Sequence, residues 1–267
     1  MLKLAMLPAR QGDCLWITYG PSSDPHYLVI DGGPERVRVL RSHVEERPRN
    51  GPLHIDLLVV THIDNDHIGG ILDLLEAPPV GLSFGDIWFN AHRHLLPPDL
   101  LGPEQGHRLS DILKRKRLPW NLAFGGSAVV IPQRGDLPRI ERRHKLYVTV
   151  LGPDRQSLAQ LHKKWREVVN APGEGEATSK AEPEDRLGRL DEWPPDIAAL
   201  ERNLFVSDIG EGNGSSIALL IEYEKKRILC TVDAHAARVL AAFERMQFEE
   251  ERIRLNAFKA RRARAAR

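Results

Sequence analysis

Short apolar or β-branched runs open the chain at residues 2–7, 14–19 and 27–30. Gln11-Gly12-Asp13 and Gly20-Pro21-Ser22-Ser23 separate them, so the pattern predicts three successive strands in a β-meander. At residues 37–46 the period lengthens. Val37, Leu40 and Val44 recur at helical spacing behind Pro34, whose fixed φ suits a first helical turn, and the proline-bounded stretch 48–52 ends the helix. Residues 55–60 form an apolar run and predict a single buried strand. Beyond a short loop, Ile68, Ile71, Leu72 and Leu75 share one face of a helix over 68–75, which Pro78-Pro79 stops.

The second half reads similarly. Residues 87–89 and 146–151 predict strands, and 156–169 predicts an amphipathic helix with Leu158, Leu161, Trp165 and Val168 inward. Residues 171–195 are rich in Gly, Glu and Pro with few large apolar side chains, which predicts a flexible insert. Residues 217–223 and 228–232, joined by Glu224-Lys225-Lys226-Arg227, predict a hairpin, followed by a helix over 236–246. There is no internal repeat.

Composition narrows the class. The chain has 267 residues, 42% of them hydrophobic and 28% charged, which excludes a disordered or collagenous protein and suits one layered α/β domain over 1–259 with a basic tail at 260–267. No run approaches the roughly 18 to 20 apolar residues that span a bilayer, and the first seven residues are too short for a secretory signal, so a cytoplasmic protein is expected. Cys14 and Cys230 are too few for a disulfide framework or a cysteine-rich zinc site. Any metal must be held by His, Asp or Glu.

The 38 Lys plus Arg nearly balance the 37 Asp plus Glu, but residues 252–267 carry only basic charges and leave the body mildly acidic. A global positive field of the kind that marks a dedicated nucleic-acid binder is absent.

The chemistry concentrates in Thr61-His62-Ile63-Asp64-Asn65-Asp66-His67-Ile68-Gly69-Gly70, directly after the strand predicted at 55–60. On an extended loop His62 and Asp64 point the same way, while Asp66 and His67, at the turn into the helix, face a second point nearby. That spacing suits two neighbouring cations. Gly69-Gly70 lets the helix start approach the sheet closely. A polar turn with Asp66 as a helix cap is the simpler explanation, but a cap needs one Asp and leaves two His and a second Asp without a reason.

This segment resembles the His-x-His-x-Asp-His signature of the metallo-β-lactamase superfamily, with Asp64 in place of the second His. The Asp variant is similar to the hydrolase domain of the ComEC-type DNA-uptake competence proteins. Other stretches follow the same family order: Arg10-Gln11-Gly12-Asp13, Leu28-Val29-Ile30-Asp31-Gly32-Gly33, Asn213-Gly214-Ser215-Ser216-Ile217 and Thr231-Val232-Asp233-Ala234-His235. The resemblance implies a four-layer αβ/βα sandwich. It implies a first metal on His62 and Asp64, a second on Asp66 and His67, and Asp233 bridging both, with His62, Asp66 and His67 as the catalytic set. Asp31, Asn213, Ser215 and His235 take supporting roles, a turn before a strand being an equal account of Asn213 and Ser215.

The cofactor implied is one or two Zn²⁺, with Mn²⁺ also suited because Asp64 makes the first site richer in oxygen. The reaction implied is hydrolysis by a metal-activated hydroxide, of a phosphodiester, with nucleic acid among the candidate substrates. An acyl ester or lactone hydrolase of the same superfamily, and a non-catalytic interaction protein that kept the fold, stand as alternatives.

Past Lys259 the resemblance stops. The superfamily continues with Lys-x-x-His-His-Gly-Ser, whereas here Ala260 to Arg267 holds only Arg and Ala. The expectation is a frame shifted or cut after Lys259, a sandwich without its last strand and helix, a weaker second metal site, and an edge that a partner chain or oligomer covers. His92 and His94, on alternate positions, could reach a substrate, exposure being the plainer reading. His26, His43, His54, His107, His144 and His162 have no ligand-like neighbours in sequence and are assigned structural roles. Trp88, Trp120, Trp165 and Trp193 are assigned to the core or to loop anchors.

Overall fold

A computed structural model of the chain describes residues 1–10, 12–47, 51–91, 94, 108–160, 214–246 and 254–260. The meander forms as expected. β1 (Leu2–Met6), β2 (Leu15–Tyr19) and β3 (His26–Ile30) pair antiparallel in sequence order. The helix expected at 37–46 begins later: Glu35–Val37 is a 3-10 turn, Arg38 is left-handed with φ 51°, and α1 runs Val39–Glu45.

The run at 55–60 is not one strand. It divides at Asp56 into β4 (Leu53–Ile55) and β5 (Leu57–Val60), because the Asp56 backbone N–H donates to the Tyr27 carbonyl at 2.9 Å while its carboxylate accepts from the Tyr27 N–H at 3.2 Å. An acid inside an apolar run thus sends the two halves to different sheets. α2 (Asn65–Glu76) starts earlier than its apolar stripe, since Asp64 occupies the N-cap position and its carbonyl accepts from His67 and Ile68.

β6 (Leu82–Phe84) joins β4 in a two-stranded ribbon, and β7 (Ile87–Phe89) joins β5 in parallel, giving a first sheet ordered β1-β2-β3-β5-β7. α3 (Arg108–Arg115) follows. The second sheet is built from β8 (Arg139–Arg142), β9 (Leu146–Gly152), β10 (Ala218–Tyr223), β11 (Lys226–Val232) and β12 (Ala257–Ala260) in the order β12-β11-β10-β9-β8. Its central hairpin closes on two residues rather than four. Glu224 and Lys225 are both left-handed, with φ 47° and 65°, the backbone of a tight turn whose twist matches the strands. α4 (Ala236–Arg245) packs on β9 through buried Val239 and Ala242.

β2, β3, β5 and β7 of the first sheet carry apolar residues on both faces, and the alternation sorts them. Leu15, Ile17, Leu28, Ile30, Leu57, Val59 and Trp88 share one core with the second sheet. Trp16, Val29, Leu58, Val60, Ile87 and Phe89 share another with α1, α2 and α3. The result is the expected α/β sandwich of helices, sheet, sheet and helix. The strand approaching the family's closing motif is present: β12 lies parallel to β11 at the sheet edge, with Phe258 exposed. The insert at 171–195, the helix at 156–169 beyond Gln160, and the tail from residue 261 lie outside the described residues. Among the described residues, no helix is long and apolar enough to cross a membrane.

Close packing of α2 on the first sheet depends on Gly70. A Cβ there would come within 2.0 Å of the Gly32 carbonyl oxygen. Gly70→Ala is therefore expected to lower the unfolding free energy by about 2 to 3 kcal/mol, read by urea denaturation, because helix and loop must separate to admit one methyl group.

Candidate metal centre

β3 and β5 run parallel, so the segments that follow them emerge side by side at one end of the sandwich. Asp31, the residue after β3, has no exposed surface and a left-handed φ of 57°. Its Oδ1 accepts from the Thr61 N–H at 2.8 Å, and its Oδ2 accepts from Thr61 Oγ1 at 2.7 Å and His67 Nδ1 at 2.9 Å. A carboxylate can only accept here, so the Thr61 hydroxyl spends its proton on Asp31 and accepts in turn from His62 Nδ1 at 2.9 Å. Both imidazoles are thereby held with Nδ1 protonated, and each presents the lone pair of Nε2.

Those lone pairs converge. The two rings lie 4.1 Å apart, centroid to centroid. His62 Nε2 is 3.6 Å from Asp64 Oδ2 and 3.9 Å from Asp233 Oδ2. His67 Nε2 is 3.9 Å from Asp66 Oδ2 and 3.9 Å from the same Asp233 oxygen. These gaps are too long for hydrogen bonds. They approach the spacing of ligand atoms about one cation, since bonds of about 2.0 to 2.1 Å place tetrahedral neighbours roughly 3.3 Å apart. His62 Nε2 is fully buried and has no hydrogen-bond partner, an orphan that a cation would satisfy. The donor set, two neutral imidazoles and three carboxylates, therefore fits one or two divalent ions.

The second sheet supplies Asp233. Val232, at the end of β11, has φ 47°, a strained value for a β-branched residue, and the next residue carries the carboxylate. Burial raises the Asp233 pKa, and Asp13 and Asp66 add to the rise while His67 and His62 oppose it. Burial would lower the pKa of His67, but the Asp31 hydrogen bond and the charges of Asp31, Asp66 and Asp233 outweigh it and push the imidazole up to about 9. Acids outnumber bases here, which is the electrostatics of a cation site. Asp66 does not cap the helix: Asp64 holds the N-cap position, without a side-chain cap hydrogen bond.

The structure thus brings His62, Asp64, Asp66, His67 and Asp233 to one place, with Asp31 behind the histidines. Asp31 approaches His62 and His67 closely enough to be considered a ligand, but both its oxygens are taken by donors, so its part is to orient. Ser215 is buried in the segment that docks on the site through the Ile217 N–H and the Thr61 carbonyl, 3.0 Å apart. Asn213 lies outside the described residues. His235 stands at the N-cap of α4 with its ring over Gly214. His94 is buried rather than exposed: Nδ1 accepts from the Ala91 N–H at 3.1 Å and the ring meets Trp120 edge-on, while His92 is outside the described residues. Both cysteines are free and buried, and burial pushes the Cys230 thiol up to about 12.

Two contributors take their roles from partners distant in the sequence. One is the Thr61 hydroxyl, whose role depends on a carboxylate thirty residues earlier. The other is an ion pair between Lys259 Nζ and Asp13 Oδ1 at 2.8 Å, which ties β12 to the loop before β2. That loop touches the site directly, since a Cβ on Gly12 would fall 1.7 Å from the Asp66 carbonyl oxygen.

A family model described as Metallo-beta-lactamase superfamily matches residues 7–245. Hydroxyacylglutathione hydrolase 2 of Vibrio vulnificus strain YJ016 is 30% identical over 79 residues, which cover 30% of this chain and 28% of that protein. A hydroxyacylglutathione hydrolase of Vibrio campbellii is 32% identical over 79 residues, with the same shares. The chain thus matches less than a third of the length of these relatives. A crystal structure of a metallo-beta-lactamase from Hirschia baltica aligns over 55% of this chain and 53% of its own, at 12% identity and a TM-score of 0.23.

Thr61→Val keeps the shape of the side chain but removes both the acceptor for His62 Nδ1–H and one donor to Asp31. It is expected to weaken Zn²⁺ binding at this centre about 10- to 100-fold with the fold retained, measured by competition with a chromophoric chelator.

Proposed function

Since this chain belongs to the metallo-beta-lactamase superfamily, we propose that it is a metal-dependent hydrolase of phosphodiester bonds, with its cation on His62, Asp64, Asp66, His67 and Asp233. The observation that carries the metal reading is the orphaned, buried Nε2 of His62, facing Asp64 and Asp233 with no protein hydrogen bond of its own. When bound, Zn²⁺ or Mn²⁺ supplies Lewis acidity, activating water at neutral pH and gathering the negative charge that develops on a phosphoryl or carbonyl oxygen.

The protein's own part is positioning. Asp31 and Thr61 fix the tautomers of His67 and His62, so neither ring turns during a catalytic cycle. Asp66, far more exposed than the buried His67 beside it, sits on the open side and is suited to orient the attacking water through a side-chain oxygen. The ends of β3, β5 and β11 that hold these groups belong to packed sheets, so the constellation is rigid where reorganisation would slow the chemistry.

Phosphodiester specificity rests on the resemblance of the Asp64 variant to the ComEC-type branch and on the oxygen-rich donor set, which suits hard, charged substrates. A second reading, thioester hydrolysis, is favoured by the hydroxyacylglutathione hydrolases among the relatives. The two separate in one assay. The Zn²⁺- or Mn²⁺-reconstituted protein is expected to cleave a nitrophenyl phosphodiester at least tenfold faster than an acyl thioester, and Asp66→Asn is expected to reduce that turnover by about 10² or more. Faster thioester cleavage would move the substrate class to the second reading, and no metal-dependent turnover of either would remove the enzymatic one.

A further inference from the structure

We propose that Asp24, His26 and His144 form a second divalent-metal site, suited to Zn²⁺, that fastens the two sheets together at the end of the sandwich away from Asp31. It is independent of the catalytic reading. Asp24 lies in the turn before β3, His26 opens β3 in the first sheet, and His144 lies in the short segment between β8 and β9 of the second sheet. β3 is five residues long, so at about 3.4 Å per residue the His26 end stands roughly 17 Å from Asp31. The two clusters cannot share a cation.

The geometry is that of a ligand set. Asp24 Oδ2 is 3.3 Å from His26 Nε2 and 3.1 Å from His144 Nε2. Bonds of about 2.0 to 2.1 Å to a tetrahedral ion place neighbouring ligand atoms roughly 3.3 Å apart. The two rings lie 4.8 Å apart, and all three donor atoms fall within 4.8 Å of one another.

A second, separate observation concerns the far side of His26. Its Nδ1 is 2.9 Å from Asp56 Oδ2, a buried carboxylate that fixes the tautomer and frees Nε2 as a lone-pair donor, the orientation that a carboxylate gives to a metal-bound histidine. In that tautomer Nε2 and Asp24 Oδ2 would be two acceptors facing each other, and His144 brings a second nitrogen to the same oxygen. A shared cation resolves the conflict between those two acceptors and takes His144 Nε2 as its third ligand. The backbone is shaped for it: His144 and Lys145 are both left-handed, with φ 53° and 58°, which turns the His144 ring back towards the first sheet. Arg143 Nε lies 3.8 Å from Asp56 Oδ1, so this guanidinium engages the supporting carboxylate.

Soft metals are disfavoured by the absence of sulfur from this trio, and Ca²⁺ or Mg²⁺ by its two imidazoles, which leaves Zn²⁺ and its neighbours in the first transition row. Three protein ligands leave a fourth position for water on the exposed Asp24 side. Because one ligand comes from each sheet, the ion stabilises the folded sandwich over the unfolded chain.

The test uses the full chain, stripped of metal and dialysed against Zn²⁺. Metal analysis of His144→Ala and of Asp24→Asn is expected to show about one zinc fewer per chain than wild type. The His144 and Asp24 side chains are 33% and 65% exposed, so both variants should fold. His62→Ala/Asp66→Asn, which disables the centre beyond β5, is expected to keep that zinc, so loss of the catalytic site and loss of this one are told apart. In that double-variant background, Zn²⁺ at a hundredfold excess over its dissociation constant should raise the unfolding midpoint by about 5 to 10 °C. Adding His144→Ala should abolish the rise. An unchanged zinc count in His144→Ala, or a midpoint shift that survives it, would reduce the cluster to a hydrogen-bonded contact and overturn the assignment.

Discussion

A carboxylate with no exposed surface is a costly thing to bury, and Asp31 is tolerated because three donors from two other elements close on it. Those bonds fasten the end of β3 to the end of β5 and to the first turn of α2. They also dictate which nitrogen of each histidine carries its proton. Everything the site presents, two lone pairs aimed at three further acids, follows from where that single anion was placed. The arrangement is then short of positive charge. The surrounding carboxylates pull the His67 pKa up to about 9, the same deficit felt at the imidazole. A divalent ion would supply the deficit more completely.

Local periodicity recovers those features whose causes are local. The meander, β7, β9, the hairpin and α4 follow from alternation, turn residues and a helical stripe, and they form where those patterns lie. The errors arise where a distant partner decides. Residues 55–60 divide because Asp56 answers to Tyr27 and His26, about thirty residues earlier. β8 shows no strand pattern, since its side chains are mostly charged, as an edge strand allows, and its only large apolar residue is Ile140. The acids and histidines after β5 announce themselves because they are crowded into six consecutive residues. Thr61, in the same stretch, does not, since a hydroxyl gains its role only from Asp31. His26 and His144 look solitary because 118 positions separate them, yet the fold brings their rings to 4.8 Å of each other.

The backbone records where polar chemistry was fitted. Asp31, Val232, His144 and Lys145 are all left-handed without being glycine, and each lies beside a polar cluster at an end of the sandwich. Such conformations cost about 1 to 3 kcal/mol apiece and persist only where surrounding contacts fix them. At Val232 the fixing contacts are its pairing with Ala260 of β12 and full burial of its side chain; at Asp31 they are the three donors.

The same reasoning explains why polar groups gather at the two ends of β3. Between Leu28 and Ile30 the strand is apolar on both faces, one against the second sheet and one against the helices, so an ionisable group there would have neither water nor partners. Only the strand ends meet loops from both sheets, and only there can a donor from one sheet face an acid from the other. At the end where β3, β5 and β7 run out in parallel, helix α2 adds backbone N–H groups and a short connection, and the glycines let it close on the loop. At the opposite end the connections are turns, which bring side chains together but no helix. A rigid, crowded, partly buried centre is therefore built at the first end, and a shallower cluster that touches solvent at the second, from one rule about where a double-faced sheet admits charge.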